Sequence, residues 1–321
     1  MISIIVPSYN SEKTIEKNIK SLLNQNYKKK YEIIVVDSST DETPQIVSKF
    51  PVKLIKQRHV GPAAARNLGV KKAKGKTIVF IDSDCIAPKN WLRNLLKPLS
   101  DKNFVAVAGT YKTKNKESMI ARFTGYEIEQ RHEKMKKFDS INFVGTFNCV
   151  YRKRIFLKFG GFNVKFVQAE DPELSFRIAE SGYKIKFQPS AYVYHFHPSS
   201  LIKYLKQKFW RAFWKVSLYS QHKRKFLEDT YTPRTLFYQV LFTGLFILLF
   251  FIGLFFTEFL SLAIISIFLI YIFNLSLLKF LWKKEKKIIF STCLVIFLRN
   301  LVALVGISIG ILNLFKNKIF L

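Results

Sequence analysis

The sequence predicts an α/β domain with a mostly parallel central sheet, followed by an all-α membrane region. Two observations carry the first half: short β-branched runs alternate with helix-spaced stretches between Ile2 and Ile81, and polar residues follow the runs at their carboxyl ends. A third carries the second half. Residues 235–315 are mostly Phe, Leu and Ile, in stretches long enough for a bilayer core, which takes roughly 20 apolar residues. The organisation that follows is a soluble domain over 1–200, a basic amphipathic segment over 201–233 and a membrane region over 234–321.

Ile2–Val6, closed by Pro7, reads as a buried strand. Ile15, Ile19, Leu22 and Leu23 repeat at helical spacing between Ser11 and Asn24, with Ser11 as the N-cap. Tyr31–Val36 is a second strand, ended by Asp37-Ser-Ser-Thr-Asp41, and a helix over Asp41–Phe50 leads to a third strand at Val52–Lys56. A Gly/Ala-rich helix, Pro62–Lys74, precedes a fourth strand at Lys76–Ile81. Sheets of this kind bind ligands beyond the carboxyl ends of their strands, the edge that Ser8, Tyr9, Asp37, Asp82 and Asp84 share. Further along, Phe104–Ala108 and Tyr192–His195 read as strands. Lys116–Lys137, with its stripe of Ile120, Phe123 and Ile128, reads as a helix, as does Pro172–Ser181.

The formal net charge of +30 first suggests nucleic acid. No zinc-finger, RRM or similar signature supports that reading, and the charge is unevenly placed. Nine Lys and Arg (Lys203, Lys206, Lys208, Arg211, Lys215, Lys223, Arg224, Lys225, Arg234) against Glu228 and Asp229 stand just before the first apolar stretch. Such clusters attract anionic membrane lipids by about 1 kcal/mol per basic side chain; a solvated basic surface is the plainer alternative. Cys85, Cys149 and Cys293 make neither a paired framework nor a metal spacing, as expected of a reducing compartment. Met1 leads straight into a strand without a basic n-region, so the soluble domain is expected on the cytoplasmic side.

Three spans fit the tail: about 235–257, 259–282 and 288–315. Thr257-Glu258 makes a tight outer hairpin and Lys283-Lys-Glu-Lys-Lys287 an inner basic loop, in keeping with the positive-inside rule. Arg299 and Asn300 interrupt the third, where a mid-bilayer Arg costs about 2.5–3.5 kcal/mol. Either that segment packs inside a bundle as a span, the favoured reading, or it is partly interfacial.

The sharpest local signal is Phe80-Ile-Asp-Ser-Asp84. In extended geometry the two carboxylates project to one side, where they repel unless a cation compensates. That suits a divalent metal bridging to a diphosphate; a turn capped by its own Asp and Ser side chains is the alternative.

This triplet follows Ser3-Ile-Ile-Val-Pro-Ser-Tyr-Asn10, Val35-Val-Asp-Ser-Ser-Thr-Asp41 and Gly61-Pro-Ala-Ala-Ala-Arg-Asn-Leu-Gly69 in order, and precedes Gly160-Gly-Phe-Asn163 and Glu170-Asp171. Together the six motifs resemble the family 2 glycosyltransferases, with the A-type nucleotide-diphosphosugar fold, over about residues 2–215. The resemblance implies that Pro7, Ser8 and Tyr9 line the nucleobase pocket, Asp37 bonds the base or ribose, and Arg66 reaches phosphate or base. It gives Asp82 the ribose, with Ser83 beside it, and Asp84 the metal, Mn2+ or Mg2+. His195, in Tyr192-Val-Tyr-His-Phe-His197, is the candidate second ligand, or else a structural histidine. Asp171, supported by Glu170, is the candidate general base; two acids favoured by a helix N-terminus are the plainer reading of that pair. Asn148, Gly160, Gly161, Trp210 and Arg211 are the acceptor-side candidates.

Gln207-Lys-Phe-Trp-Arg-Ala-Phe-Trp214 is similar to the Q-x-x-R-W signature of processive synthases, but Trp210 here precedes Arg211, and three spans make no polymer channel. The implied activity is inverting transfer of one sugar from a nucleotide-diphosphosugar to a hydroxyl of a lipid-linked acceptor. Two alternatives stay open: a polyprenyl-phosphate glycosyl synthase, whose acceptor needs no base, and an inactive nucleotide-sugar-binding membrane scaffold.

Overall fold

The computed structural model describes residues 1–319. Its strands are β1 (Ile2–Ser8), β2 (Tyr31–Asp37), β3 (Lys53–Lys56), β4 (Thr77–Ile81), β5 (Cys85–Ile86), β6 (Phe104–Thr113), β7 (Asn148–Arg152) and β8 (Lys184–His195). The helices are α1 (Ile15–Leu23), α2 (Thr43–Val47), α3 (Pro62–Lys72), α4 (Trp91–Leu96), α5 (Met119–Met135), α6 (Lys153–Lys158) and α7 (Glu170–Glu180). They continue with α8 (Leu201–Gln221), α9 (Lys225–Glu228), α10 (Thr235–Gly253), α11 (Glu258–Ile272), α12 (Leu275–Lys284) and α13 (Ile289–Ile319). Two compact units divide the chain: Met1–Lys114 with His132–Phe196, and Asn115–Arg131 with His197–Leu321.

The first unit is built on one sheet in the order β3-β2-β1-β4-β7-β6-β8-β5. β1 runs parallel to β2 and β4, and β2 parallel to β3. β1, β2 and β4, buried over most of their length, read as mainly apolar runs. The sheet is mixed beyond β4: β7 is antiparallel to β4 and β6, and β5 to β8. β7 was hidden from pattern reading because Asn148-Cys-Val-Tyr-Arg152 is short and begins with a buried polar residue.

Strand order reverses between β1 and β4, the point where such sheets open a crevice. The β1–β4 ladder ends at Ile5 and Phe80, whereas β1 follows β2 through Ser8 and Asp37. Pro7 therefore sits where β1 has one neighbour only, so its missing N–H leaves no bond unmade on the β4 side. The core beneath is aliphatic: Ile4, Val6, Ile19, Val35, Val79 and Ile81 pack with Trp91.

The second unit is helical. α10 and Lys286–Lys316 are each long and apolar enough to cross a membrane, and α11 with α12, bent by 54° at their junction, make a third candidate if taken as one span. The bend falls at Phe273-Asn274, where the Asn274 amide bonds the Ile270 carbonyl inside the preceding turn. Arg299 is buried. It bonds Glu127 of α5 at 2.9 Å, Gln239 at 2.6 Å and Asn300 at 3.0 Å. A protein-made polar shell thus offsets the mid-helix charge.

Candidate active site

Three groups of side chains line the carboxyl edge of the first unit's sheet. On β1 and β2, the Ser8 hydroxyl donates to Asp37 at 2.6 Å, and Ser39 donates its hydroxyl to the same oxygen at 2.7 Å. Asp37 is buried, and both donors hold its carboxylate in place. Tyr9, half exposed, stacks on His59 with ring centroids 4.0 Å apart. Next to it Asn10 adopts a left-handed φ of 49°, and its side-chain oxygen accepts from the Thr40 N–H at 3.0 Å. His59 has no motif around it, and only its place before Gly61 pointed to the site.

The second group is the Asp82-Ser-Asp84 segment. It is a turn, closed by the Cys85 N–H on the Asp82 carbonyl at 3.1 Å, not the extended run that alternation suggested. The reason is Asn18 of α1, whose buried amide bonds the Asp82 and Cys85 carbonyls at 3.0 and 2.7 Å. The two carboxylates consequently take separate partners. Asp82 accepts from Arg66 at 2.7 Å, and Asp84 lies 3.5 Å from His195 Nε2. Ser83 meets Ser11 at 2.8 Å.

Asp84, Cys85 and His195 bring one ligand atom each within 4.8 Å of the others. β5 and β8 make this meeting, since Cys85 pairs directly with His195 in their ladder. Burial raises the Asp84 carboxyl, and the neighbouring Asp82 adds to it while His195 opposes. Burial also pushes the Cys85 thiol well up, and its S–H donates toward Asp84. A thiol is a soft donor and suits Mn2+ or Mg2+ poorly. Asp84 and His195, a hard carboxylate and an imidazole, are the donors that fit a divalent cation such as Mn2+ or Mg2+. Tyr111 stacks on the His195 ring at 5.1 Å and fixes its plane.

The third group starts at Arg66. α3 presents it fully buried, with one nitrogen on Asp82 and another on Glu170 of α7 at 2.8 Å. Burial raises the Glu170 carboxyl and Arg66 draws it back. Asp171, half-buried, accepts from the Thr146 N–H at 3.4 Å. Asn67, next to Arg66, exchanges two bonds with Phe162, at 2.8 and 3.0 Å. That grip shapes the turn before it. Gly160 and Gly161 have φ of 72° and 73°, and a Cβ on Gly161 would sit 2.7 Å from the Asn67 oxygen, so only glycine fits.

Asn148 is wholly buried. It accepts from the Trp91 indole at 2.8 Å and donates to the Thr110 and Ala191 carbonyls, tying β6, β7 and β8 together. Trp210 and Arg211 belong to the second unit, on α8, where Trp210 is 37% exposed. Sequence reasoning missed Asn18, Asn67 and His59, and of these only Asn67 stood inside a motif.

The chain is similar to known transferases at every level of comparison. The profile of "Glycosyl transferase family 2" matches residues 3–160. Glycosyltransferase AglE of Haloferax volcanii is 28% identical over 196 residues, 58% of this chain and 64% of that protein. The Escherichia coli UDP-Glc:alpha-D-GlcNAc-diphosphoundecaprenol beta-1,3-glucosyltransferase WfgD is 35% identical over 127 residues, 38% of this chain and 50% of its own length. The matched segments thus span about half to two thirds of these relatives. Among solved structures, the mannosyltransferase PcManGT of Pyrobaculum calidifontis, in complex with GDP-Man and Mn2+, superposes with a TM-score of 0.64 at 19% identity, covering 96% of this chain and 86% of that one. That likeness gives the same fold: an A-type nucleotide-sugar glycosyltransferase domain with a mixed sheet and a helical C-terminal region. Residues 3–160, just under half of the chain, thus match glycosyl transferase family 2.

Proposed function

We propose that this protein is a membrane-anchored, inverting glycosyltransferase that moves one sugar from a nucleotide-diphosphosugar to a hydroxyl of a lipid-linked acceptor. The observation that carries the reading is the meeting of Asp84 and His195 at 3.5 Å beside the β1–β4 crevice. That pair would hold a divalent cation, which when bound supplies Lewis-acid stabilisation to the departing nucleoside diphosphate. The Mn2+ and GDP-Man held by the Pyrobaculum protein of like fold support the choice of donor and ion.

The remaining roles follow from the chain's own groups. Tyr9 offers a flat ring for the base, steadied by His59, and Asp37 presents a fixed carboxylate to base or ribose. Arg66 holds Asp82 toward the donor and Glu170 behind Asp171. Asp171 accepts the proton of the acceptor hydroxyl as that oxygen attacks the anomeric carbon. A phosphate acceptor would need no such base, so the acid pair favours a hydroxyl. The lipid-linked nature of the acceptor is supported by the apolar helices of the second unit and the basic α8. WfgD, whose name specifies a diphosphoundecaprenol-borne acceptor, points the same way. The catalytic unit and the basic stretch around Lys283–Lys287 take the cytoplasmic face, with anionic lipids around α8.

The test is a panel of nucleotide sugars with Mn2+, read as released nucleoside diphosphate, with and without lipid-linked acceptors. Metal-dependent release stimulated by an acceptor hydroxyl is expected. Donor binding without release under any acceptor would leave the scaffold reading in its place.

A further inference from the structure

α8 and α13, both in the second unit, run side by side in the same direction. A Cβ built on Gly306 of α13 would lie 2.5 Å from the Phe209 carbonyl oxygen of α8, and one on Gly310 would lie 2.9 Å from that of Phe213. The four-residue steps match on both helices, so the two backbones touch on successive turns of a parallel pair. Nearer their starts, Lys208 of α8 and Arg299 of α13 both reach the Glu127 carboxylate. Helices joined over this length share one inclination to any membrane that holds them.

That ties an apolar helix to a charged one. α8 has 21 residues, which makes it about 31 Å long, the thickness of a hydrocarbon core. Upright, it would set Arg211 at its midpoint, with Lys203, Lys206, Lys208 and Lys215 on the turns around it. Laid in the head-group layer, the exposed Lys203 and Lys206 reach water and anionic head groups, Lys208 stays paired with Glu127, and Trp210 enters the aromatic belt. α13 turns one apolar side outward as well. Its exposed Phe290, Leu294, Val305, Ile309 and Leu312 form one stripe, while Arg299 and Asn300 are buried against the rest of the unit. By contrast, no charged residue stands between Thr235 and Thr257, over α10 and the turn after it, or between Phe259 and Asn274, over the returning α11.

We propose that α13 lies flat in the membrane–water interface beside α8, its apolar stripe resting on the lipid head-group layer. The end of the described chain then stays on the membrane face where α8 begins, and the α10–α11 hairpin is the part that enters the hydrocarbon. This rests on the membrane reading above and takes the interfacial alternative for 288–315 in place of a third span.

The experiment uses the full-length chain in sealed membrane vesicles of both orientations, in a Cys293→Ser background, with a membrane-impermeant maleimide. Asn313→Cys, exposed near the end of α13, is expected to label from the same face as Lys102→Cys in the first unit and not from the other. Labelling of Asn313→Cys from the opposite face alone, or from neither, would overturn the proposal. A C-terminal epitope tag on the unsubstituted chain, probed with protease, gives a second reading: cleavage from the Lys102 face supports the flat helix, and cleavage from the far face alone refutes it. Release of the whole chain from the vesicles by alkaline carbonate would instead overturn the membrane reading itself.

Discussion

Arg66 of α3 bonds Glu170 of α7 at 2.8 Å across 104 residues of chain, and gives a second nitrogen to Asp82 at 2.7 Å. One guanidinium thereby sets the distance between the two acid-bearing segments of the site. Arg66 and Glu170 are each less than a tenth exposed, so neither can turn to water if the other is removed. Arg66→Met is expected to cost about 3–5 kcal/mol of stability, the penalty for orphaning a buried charge, measured by chemical denaturation. Arg66→Lys keeps the charge but cannot fork to both acids. It should recover much of the stability and little of the turnover. Equal recovery of both would show that the fork itself is dispensable.

Metal binding separates Asp84 and His195 from their neighbour. Asp84→Asn and His195→Ala are expected to abolish Mn2+ binding, which in the unsubstituted protein shows as loss of the free-ion electron paramagnetic resonance signal on titration. Cys85→Ser should leave that binding intact, because a soft thiol suits Mn2+ or Mg2+ poorly beside a carboxylate and an imidazole. A Mn2+ affinity that falls with Cys85→Ser as steeply as with Asp84→Asn would bring the thiolate into the site.

Asp171→Asn is nearly isosteric and keeps an acceptor for the Thr146 N–H. Loss of a general base typically costs about 10²–10⁴ in kcat, and a loss in that range is expected here with donor affinity unchanged. A drop in melting temperature without a drop in kcat would reduce Asp171 to a helix-terminal acid.

Much of this site was written in the sequence, because strand ends and motifs are local. β1, β2 and β4 could be read from mainly apolar runs, and their order placed Ser8, Asp37 and Asp84 on one edge. What could not be read depends on contacts distant in sequence. The turn at Asp82–Asp84 exists because Asn18, 64 residues earlier, bonds its carbonyl. Arg66 looked like a ligand-binding cation, and its two carboxylate partners became visible only once α3 and α7 were packed. Likewise nothing near Arg299 in the sequence hints that its counter-charge is Glu127, 172 residues before it. The lost strand β7 is an antiparallel insertion whose five residues carry no alternation to detect.

The Glu127 cluster carries a pH prediction. One carboxylate is shared among Lys208 at 2.6 Å, Arg299 at 2.9 Å and Arg131 at 3.0 Å. Burial would raise the Glu127 carboxyl, but the three cations outweigh it and hold it well below the usual range. The lysine fares differently, since it has only a share of that carboxylate. Burial pushes the Lys208 amine down to about 7, and Arg131 and Arg211 add repulsion that Glu127 does not cancel. Lys215, pushed down to about 8 by burial, shifts in the same sense. Both folded values lie below the ordinary value of about 10.4, so between them the unfolded chain binds more protons and stability rises with pH. The melting temperature of the detergent-solubilised protein is therefore expected to climb from about pH 6.5 to about pH 9, and Lys208→Met should flatten most of that slope. Glu127→Gln removes the shared counter-charge and should cost about 3–5 kcal/mol at neutral pH. A Lys208→Met protein with the slope unchanged would mean that this amine stays charged throughout the range.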